Sequence, residues 1–260
     1  MNIKNLIVAL QFLTRIKIVK NPSMDECSFA ASVKFFPIVG SIVGIIMLAL
    51  YMVLSNLNVS DHLMVSLIIL TEFLLNGILL YDGYMDTADG VFSGRNRERM
   101  LEIMKDSCSG ANAVVALAIL IMVKYSVYMD MHPMYLAMSL LILPTITLGL
   151  MTFNIRYYPY ARPQGIGGMF VDANEPKATG VFIALACIGL LLYLGMLVDI
   201  MPNYLFVSLP IVITSIYNKF AADFLNNKLG GLTGDTYGFL VQSDSMVFLI
   251  VISILVNCNF

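Results

Sequence analysis

Three aspartates, Asp82, Asp86 and Asp89, stand at spacing i, i+4, i+7 in the stretch DGYMDTADGVFSGRNRERMLEIMKD, residues 82–106. On a helix, at ~100° per residue, that spacing puts all three carboxylates on one stripe with neighbours ~6 Å apart. At ~6 Å and an effective dielectric of about 20, two ionised carboxylates repel by roughly 3 kcal/mol. Three together call for protonation or for a cation. A hard divalent ion with oxygen ligands is the direct relief, and magnesium suits these surroundings better than zinc because no His or Cys pair stands near. Asp106, beyond the basic turn Arg95, Arg97 and Arg99, is placed to complete such a site from the next helix. Carboxylates that hold a metal beside guanidinia that hold oxyanions are the parts that phosphoryl transfer asks of a protein. The competing account is a solvated charged face whose acids cap a helix end and pair with the arginines. Three features favour the site: the acids share one stripe, Gly83 and Gly90 leave room for close approach, and the arginines follow only after Ser93-Gly94.

Two other polar stretches are candidates for the same chemistry. In KLGGLTGDTYG, residues 228–238, Gly230, Gly231 and Gly234 let backbone N–H groups approach an anion, Thr233 offers a hydroxyl donor and Asp235 a further ligand or base. Read by itself, a glycine run of this kind is more often a helix-breaking turn. In YYPYARPQGIGG, residues 157–168, Tyr160 and Arg162 precede another glycine turn. By itself that stretch is a connector.

The elements that must carry these groups are membrane helices. The chain of 260 residues is 59% apolar and 12% charged, with mean hydropathy +0.84. Seven apolar segments, about 35–54, 64–81, 112–128, 134–152, 179–198, 203–219 and 246–257, approach the ~20 residues that cross a bilayer as helix. Ile3, Leu6, Ile7, Leu10 and Leu13 recur at helical spacing among Lys4, Gln11, Thr14 and Arg15, which predicts an amphipathic helix on the membrane surface. No cleavable leader is expected. Fourteen of the fifteen Lys and Arg residues lie in 4–34, 95–105, 156–177 or at Lys219 and Lys228, and none lies in 55–63, 129–133 or 199–202. This alternation predicts a multi-pass protein of the cell membrane, with a cytoplasmic N-terminus, an outer C-terminus and every candidate site on the cytoplasmic face. Lys124, inside the third segment, is expected to snorkel outward. Glu72, inside the second, costs about 3 kcal/mol if ionised at membrane depth. It is expected to be a structural acid pairing with Asn76 or with a neighbouring helix, rather than a transport residue.

The resulting expectation is an all-α polytopic membrane helix bundle, a single domain over residues 1–260. It has a cytoplasmic arm at 1–34, a catalytic segment at 82–111 and further cytoplasmic loops at 153–178 and 220–245. Cys27, Cys108, Cys187 and Cys258 lack metal-site spacing and are read as free thiols. His62 and His132 look like ordinary exposed residues of outer loops. No nucleic-acid partner is expected, and oligomer formation is left open.

The ordered set LQFLTRI (10–16), FFPIVGSIVG (35–44), the aspartate block through Ser107, PYARPQGIG (159–167) and GGLTGDTYG (230–238) resembles the cobalamin 5′-phosphate synthase family, also called adenosylcobinamide-GDP ribazoletransferase. The resemblance runs from residue 10 to about 240. It implies a magnesium-dependent membrane enzyme that joins adenosylcobinamide-GDP to α-ribazole or α-ribazole 5′-phosphate and releases GMP, late in cobalamin biosynthesis. By the family's motifs, Asp82, Asp86 and Asp89 would be Mg2+ ligands, and Asp106 and Asp235 ligands or bases. Arg95 and Arg162 would be phosphate clamps, with Gly231, Thr233 and Gly234 as the phosphate-binding loop. Leu80, Cys108, Gln242 and Ser245 depart from the family pattern, so no role is carried over to them; Asp244 is a stand-in for one lost carboxylate only at a shifted spacing.

Two other function classes compete. A CDP-alcohol phosphotransferase also opens its motif with DxxDG, but closes it with two aspartates four apart, and Gly110 occupies the place of the second. A transporter would gather polar groups near the bilayer midplane on broken helices, whereas here they gather at one surface.

Overall fold

The computed structural model describes residues 3–20, 26–162, 179–197 and 205–257, and among them every regular element is a helix. In chain order they are α1 (Ile3–Leu13), α2 (Glu26–Ser32), a 3-10 turn (Val33–Phe35), α3 (Phe36–Asn56), α4 (Asp61–Asn76), α5 (Leu79–Phe92), α6 (Arg97–Ile103), α7 (Ala111–Asp130), α8 (Pro133–Tyr157), α9 (Thr179–Leu197), α10 (Leu205–Leu229) and α11 (Gly234–Asn257). The protein is the all-α membrane bundle that its hydropathy pattern predicts. Among the described residues four stretches are long and apolar enough to cross a bilayer: Ser28–Asn56, α7, α8 and α11. A fifth counts if α4 and α5 form one broken span. With α4, α9 and α10, the seven predicted apolar segments each find a helix, although residues 198–204 and 163–178 lie outside the described chain.

The middle of the bundle is α8, whose apolar window is 83% buried, against 22% for that of α7, which faces outward. α3 packs on α8 through Gly40 and Gly44, a small-xxx-small pair. A Cβ at Gly40 would lie 2.4 Å from the Pro144 carbonyl oxygen and one at Gly44 only 2.0 Å from that of Leu141. In lipid, where apolar side chains gain little by leaving the solvent, such backbone proximity is a main source of helix association. The Ser41 and Thr145 hydroxyls, 3.1 Å apart, add a polar link across the same seam.

Three expectations change. The second predicted span, 64–81, is broken: α5 turns 92° from α4. The chain bends at Gly77, where φ is +64°, and the Leu75 carbonyl accepts a hydrogen bond from the Arg15 N–H at 2.8 Å. α5 therefore does not continue the direction of α4, and at 14 residues it is too short to cross a bilayer by itself. The N-terminal helix packs one face on protein, since Val8, Ala9, Leu10 and Leu13 are buried in one cluster with Phe35, Phe36 and Val39, while Ile3 stays exposed. Finally, Lys124 does not snorkel. It is 1% exposed, with Nζ 2.6 Å from Glu72 Oε1 and 2.9 Å from Gln242 Oε1, while the Tyr81 hydroxyl donates to the same Glu72 oxygen at 3.2 Å. The pair ties α4, α5, α7 and α11 together and offsets the cost of either charge alone. Cys108 and Cys187 are free thiols; the side chains of Cys27 and Cys258 lie outside what the structure describes.

Candidate active site at the crossing of α5 and α11

The polar stretches converge because α5 and the first turns of α11 touch backbone to backbone. A Cβ at Gly83 would lie 2.7 Å from the Asp235 carbonyl oxygen, and one at Gly238 would lie 2.7 Å from that of Leu80. Asp235 therefore reaches the aspartate stripe. Asp82 is exposed and Asp86 half-buried. Burial, and then the charges of Asp82, Asp235 and Asp89, push the Asp86 carboxyl up to about 7, with Arg162 pulling the other way. This is the repulsion the helical spacing predicts, with Asp235 added from a different helix.

Asp235 sits in the first turn of α11, whose start is fixed by a reciprocal cap. The Thr233 Oγ1 accepts the Thr236 N–H at 3.2 Å, and the Thr236 Oγ1 accepts the Thr233 N–H at 2.8 Å. Thr233, expected at the phosphate, is fully buried and caps the helix, with its hydroxyl 3.5 Å from Asp235 Oδ2. Gly231 also differs from expectation. Its φ is +145°, and a Cβ there would lie 2.7 Å from the Ala161 nitrogen. It admits the segment 159–161 rather than an anion. That segment joins the loop by two hydrogen bonds of 2.8 Å, from Ala161 N–H to the Leu232 carbonyl and from Leu232 N–H to the Pro159 carbonyl, around a parallel Tyr160–Leu232 bridge. A Cβ at Gly234, by contrast, would meet nothing within 4 Å, so its backbone stays open toward the site.

This bridge delivers Arg162. Its Nη2 lies 2.9 Å from Asp235 Oδ2. The N–H groups on Nη2 and Nε nevertheless have no hydrogen-bond acceptor among the described residues. Both nitrogens are buried, so the guanidinium is held against Asp235 and sets its positive charge beside the acidic stripe. The segment is pinned from its other side by Tyr158, whose hydroxyl donates to Asp223 Oδ1 at 2.7 Å and lies 3.0 Å from Lys219 Nζ.

Two predicted ligands are placed differently from Asp82 and Asp86. Asp89 is buried and accepts the N–H of Gly110 and, at 3.0 Å, that of Ala113, so both its oxygens cap the N-terminus of α7. Its charge is partly offset by that helix end. A Cβ at Gly110 would lie 2.7 Å from Asp89 Oδ1, which explains why glycine stands where a lipid phosphotransferase motif needs its last aspartate. Asp106 is exposed and closes an Asx turn onto the Cys108 N–H at 3.0 Å; it is not among the charges that raise Asp86. Among the described residues no three His, Cys, Asp or Glu side chains converge closely enough to hold a metal ion. The acidic side chains that meet at the crossing are Asp82 and Asp86, with Asp235, itself paired with Arg162, on the other helix. Gln242 answers to Lys124, and Asp244 faces Asn218 Nδ2 at 2.7 Å inside the bundle, so neither joins the acid group.

Arg95 is exposed, and among the described residues its guanidinium has no hydrogen-bond or ion-pair partner. Arg97, two residues on, was legible only as one of three basic residues in a turn, yet it is the one whose guanidinium lies against the glycine loop, at Gly230.

Residues 5–253 match the family model described as Cobalamin-5-phosphate synthase. The chain is 32% identical to the adenosylcobinamide-GDP ribazoletransferase of Clostridium novyi, with 98% of this chain and 99% of that one covered. It is 34% identical to the enzyme of the same name from Fusobacterium nucleatum, with 95% of each chain covered, and 30% identical to that of Caldanaerobacter subterraneus, with 97% and 99% covered. No solved structure matches the chain.

Proposed function

The chain belongs to the cobalamin-5-phosphate synthase family, and on that premise we propose that it is an adenosylcobinamide-GDP ribazoletransferase embedded in the cell membrane. It joins adenosylcobinamide-GDP to α-ribazole or α-ribazole 5′-phosphate and releases GMP. The ribazole 3′-hydroxyl attacks the phosphorus attached to cobinamide. The new P–O bond replaces the bond to GMP, and the hydroxyl proton passes to a carboxylate of the site, which we assign to Asp235. The observation that carries this reading is the opposition at the α5–α11 crossing. Asp86, raised to about 7 by burial and then by its acidic neighbours, stands in one group with Asp235 and its ion-pair partner Arg162.

The residues present suit Mg2+ in donor type and in charge, since Asp82 and Asp86 are hard oxygen donors whose mutual repulsion a divalent cation relieves. When bound there, Mg2+ would neutralise charge on the diphosphate oxygens. Arg162 would orient the same anion from the opposite side, and Asp89 and Thr233 would serve by fixing the ends of α7 and α11. The alternation of basic and non-basic connections supports a cytoplasmic site and N-terminus and an outer C-terminus, so that water-soluble nucleotide substrates reach the site without crossing hydrocarbon.

The test is to incubate detergent-purified protein with adenosylcobinamide-GDP, α-ribazole 5′-phosphate and MgCl2, and to measure GMP and cobamide. Both should appear in equal amounts and both should vanish with EDTA. A protein that makes neither, or that makes both at full rate in EDTA, defeats the corresponding part of the reading.

A further inference from the structure

We infer that Arg97 is a second guanidinium that grips the diphosphate of the nucleotide-activated substrate, from the side of the 230–235 loop opposite Arg162. Three observations meet at this residue. First, Gly230 has φ +69°, and a Cβ built on it would lie 2.5 Å from Arg97 Cζ and 2.7 Å from both Nη1 and Nη2. Near-equal approach to all three atoms means that the flat face of the guanidinium lies on the glycine, with its N–H edge directed outward. Second, among the described residues that edge makes no hydrogen bond or ion pair, whereas the guanidinium of neighbouring Arg99 is engaged by Glu102 at 2.8 Å. Third, the placement is built rather than accidental. Asn96 caps α6 by accepting the Arg99 N–H at 3.0 Å, and Met100 and Met104 of that helical turn pack in a cluster with Ala161 and Leu229. The cluster locks α6 between the segment that carries Arg162 and the residue just before Gly230.

Gly230 and Asp235 are five residue steps apart, so their Cα atoms lie at most ~17 Å from each other even in a fully extended chain. Arg97 against Gly230 and Arg162 against Asp235 thus stand at the two ends of one short loop. Two guanidinia facing an acidic, cation-seeking wall suit an anion that needs charge neutralised at two neighbouring phosphates. That describes a nucleoside diphosphate ester better than a single phosphomonoester. Planar guanidinium chemistry matters here, because a lysine ammonium can neither lie flat on Gly230 nor form a bidentate pair.

The inference rests on the transferase reading, and the experiment separates the two. Wild type, Arg97→Gln, Arg97→Lys and Arg99→Gln are purified in detergent, matched for thermal stability, and assayed with adenosylcobinamide-GDP against α-ribazole and, separately, α-ribazole 5′-phosphate. GDP is the equilibrium binding probe in MgCl2. Arg97→Gln should raise KM for adenosylcobinamide-GDP about tenfold or more and weaken GDP binding by a similar factor. Arg97→Lys should recover little of either, while KM for both ribazole forms and the magnesium midpoint stay within about twofold. Arg99→Gln should match wild type. If Arg97→Gln binds GDP and adenosylcobinamide-GDP like wild type, or if only KM for the phosphorylated ribazole rises, Arg97 does not hold the diphosphate. If wild type itself makes no cobamide, the transferase reading fails, and the GDP arm still decides whether Arg97 binds a nucleoside diphosphate.

Discussion

Replacing Asp86 by Asn separates the electrostatic account of the site from a merely structural one, because the account demands opposite signs for stability and activity. Burial and the charges of Asp82, Asp235 and Asp89 raise this carboxyl from 3.8 to about 7. A carboxyl whose pKa is higher in the fold than in the unfolded chain favours folding fully only below its unfolded value. That contribution is lost as pH rises from there through about 7. The difference between the two values corresponds to ~4 kcal/mol for a fully buried group. Asp86 is only partly buried, so solvent screening reduces the strain to about 1–2 kcal/mol. In EDTA at pH 8, Asp86→Asn should therefore be more stable than wild type, by a few degrees in apparent Tm at ~2–4 °C per kcal/mol for a chain of this size. The gain should shrink toward pH 5, where wild-type Asp86 is protonated in the fold. Millimolar MgCl2 should raise the wild-type midpoint and leave that of the variant almost unmoved. Turnover should nevertheless fall by roughly 10²–10³-fold, as when a preorganised electrostatic group is removed from an active site. The chain has no Trp, so stability is best read as the fraction surviving heating on size exclusion in detergent. A variant less stable than wild type at pH 8 without divalent cation, or one that turns over normally across magnesium concentrations, would refute the reasoning.

Asp89→Asn should turn an amide toward the N–H groups of Gly110 and Ala113, costing about 1–2 kcal/mol of stability and lowering kcat. Its magnesium midpoint should match wild type, and a shifted midpoint would make Asp89 a metal ligand after all. Glu72→Gln should strand the buried Lys124 charge and destabilise by about 3–5 kcal/mol, whereas the double variant Glu72→Gln with Lys124→Met should recover much of that loss; additive losses in thermal survival would contradict the pairing. Gly83→Ala should force α5 away from Asp235, lowering kcat by at least tenfold with α-helical circular dichroism unchanged, and near-normal turnover would mean the crossing tolerates separation.

Much of this protein could be read from residue order alone, for identifiable physical reasons. Bilayer thickness sets the length of an apolar helix, so the bundle was legible in the hydropathy of seven segments. The helical period set Asp82, Asp86 and Asp89 on one stripe of α5, and their mutual repulsion followed from that spacing. What spacing could not supply was the neighbour that each face meets. Only the packing shows that Asp89 looks away from the stripe's other acids toward the end of α7, and that Lys124 is drawn inward by Glu72 and Gln242. Only the packing shows that the glycines at 230 and 231 make room for Arg97 and for the segment carrying Arg162. Periodicity is a property of one helix, legible along the chain. A site made where α5, α6, α11 and the 159–162 segment converge depends on close approaches between residues as far apart in the chain as Leu80 and Gly238, and those are decided in three dimensions.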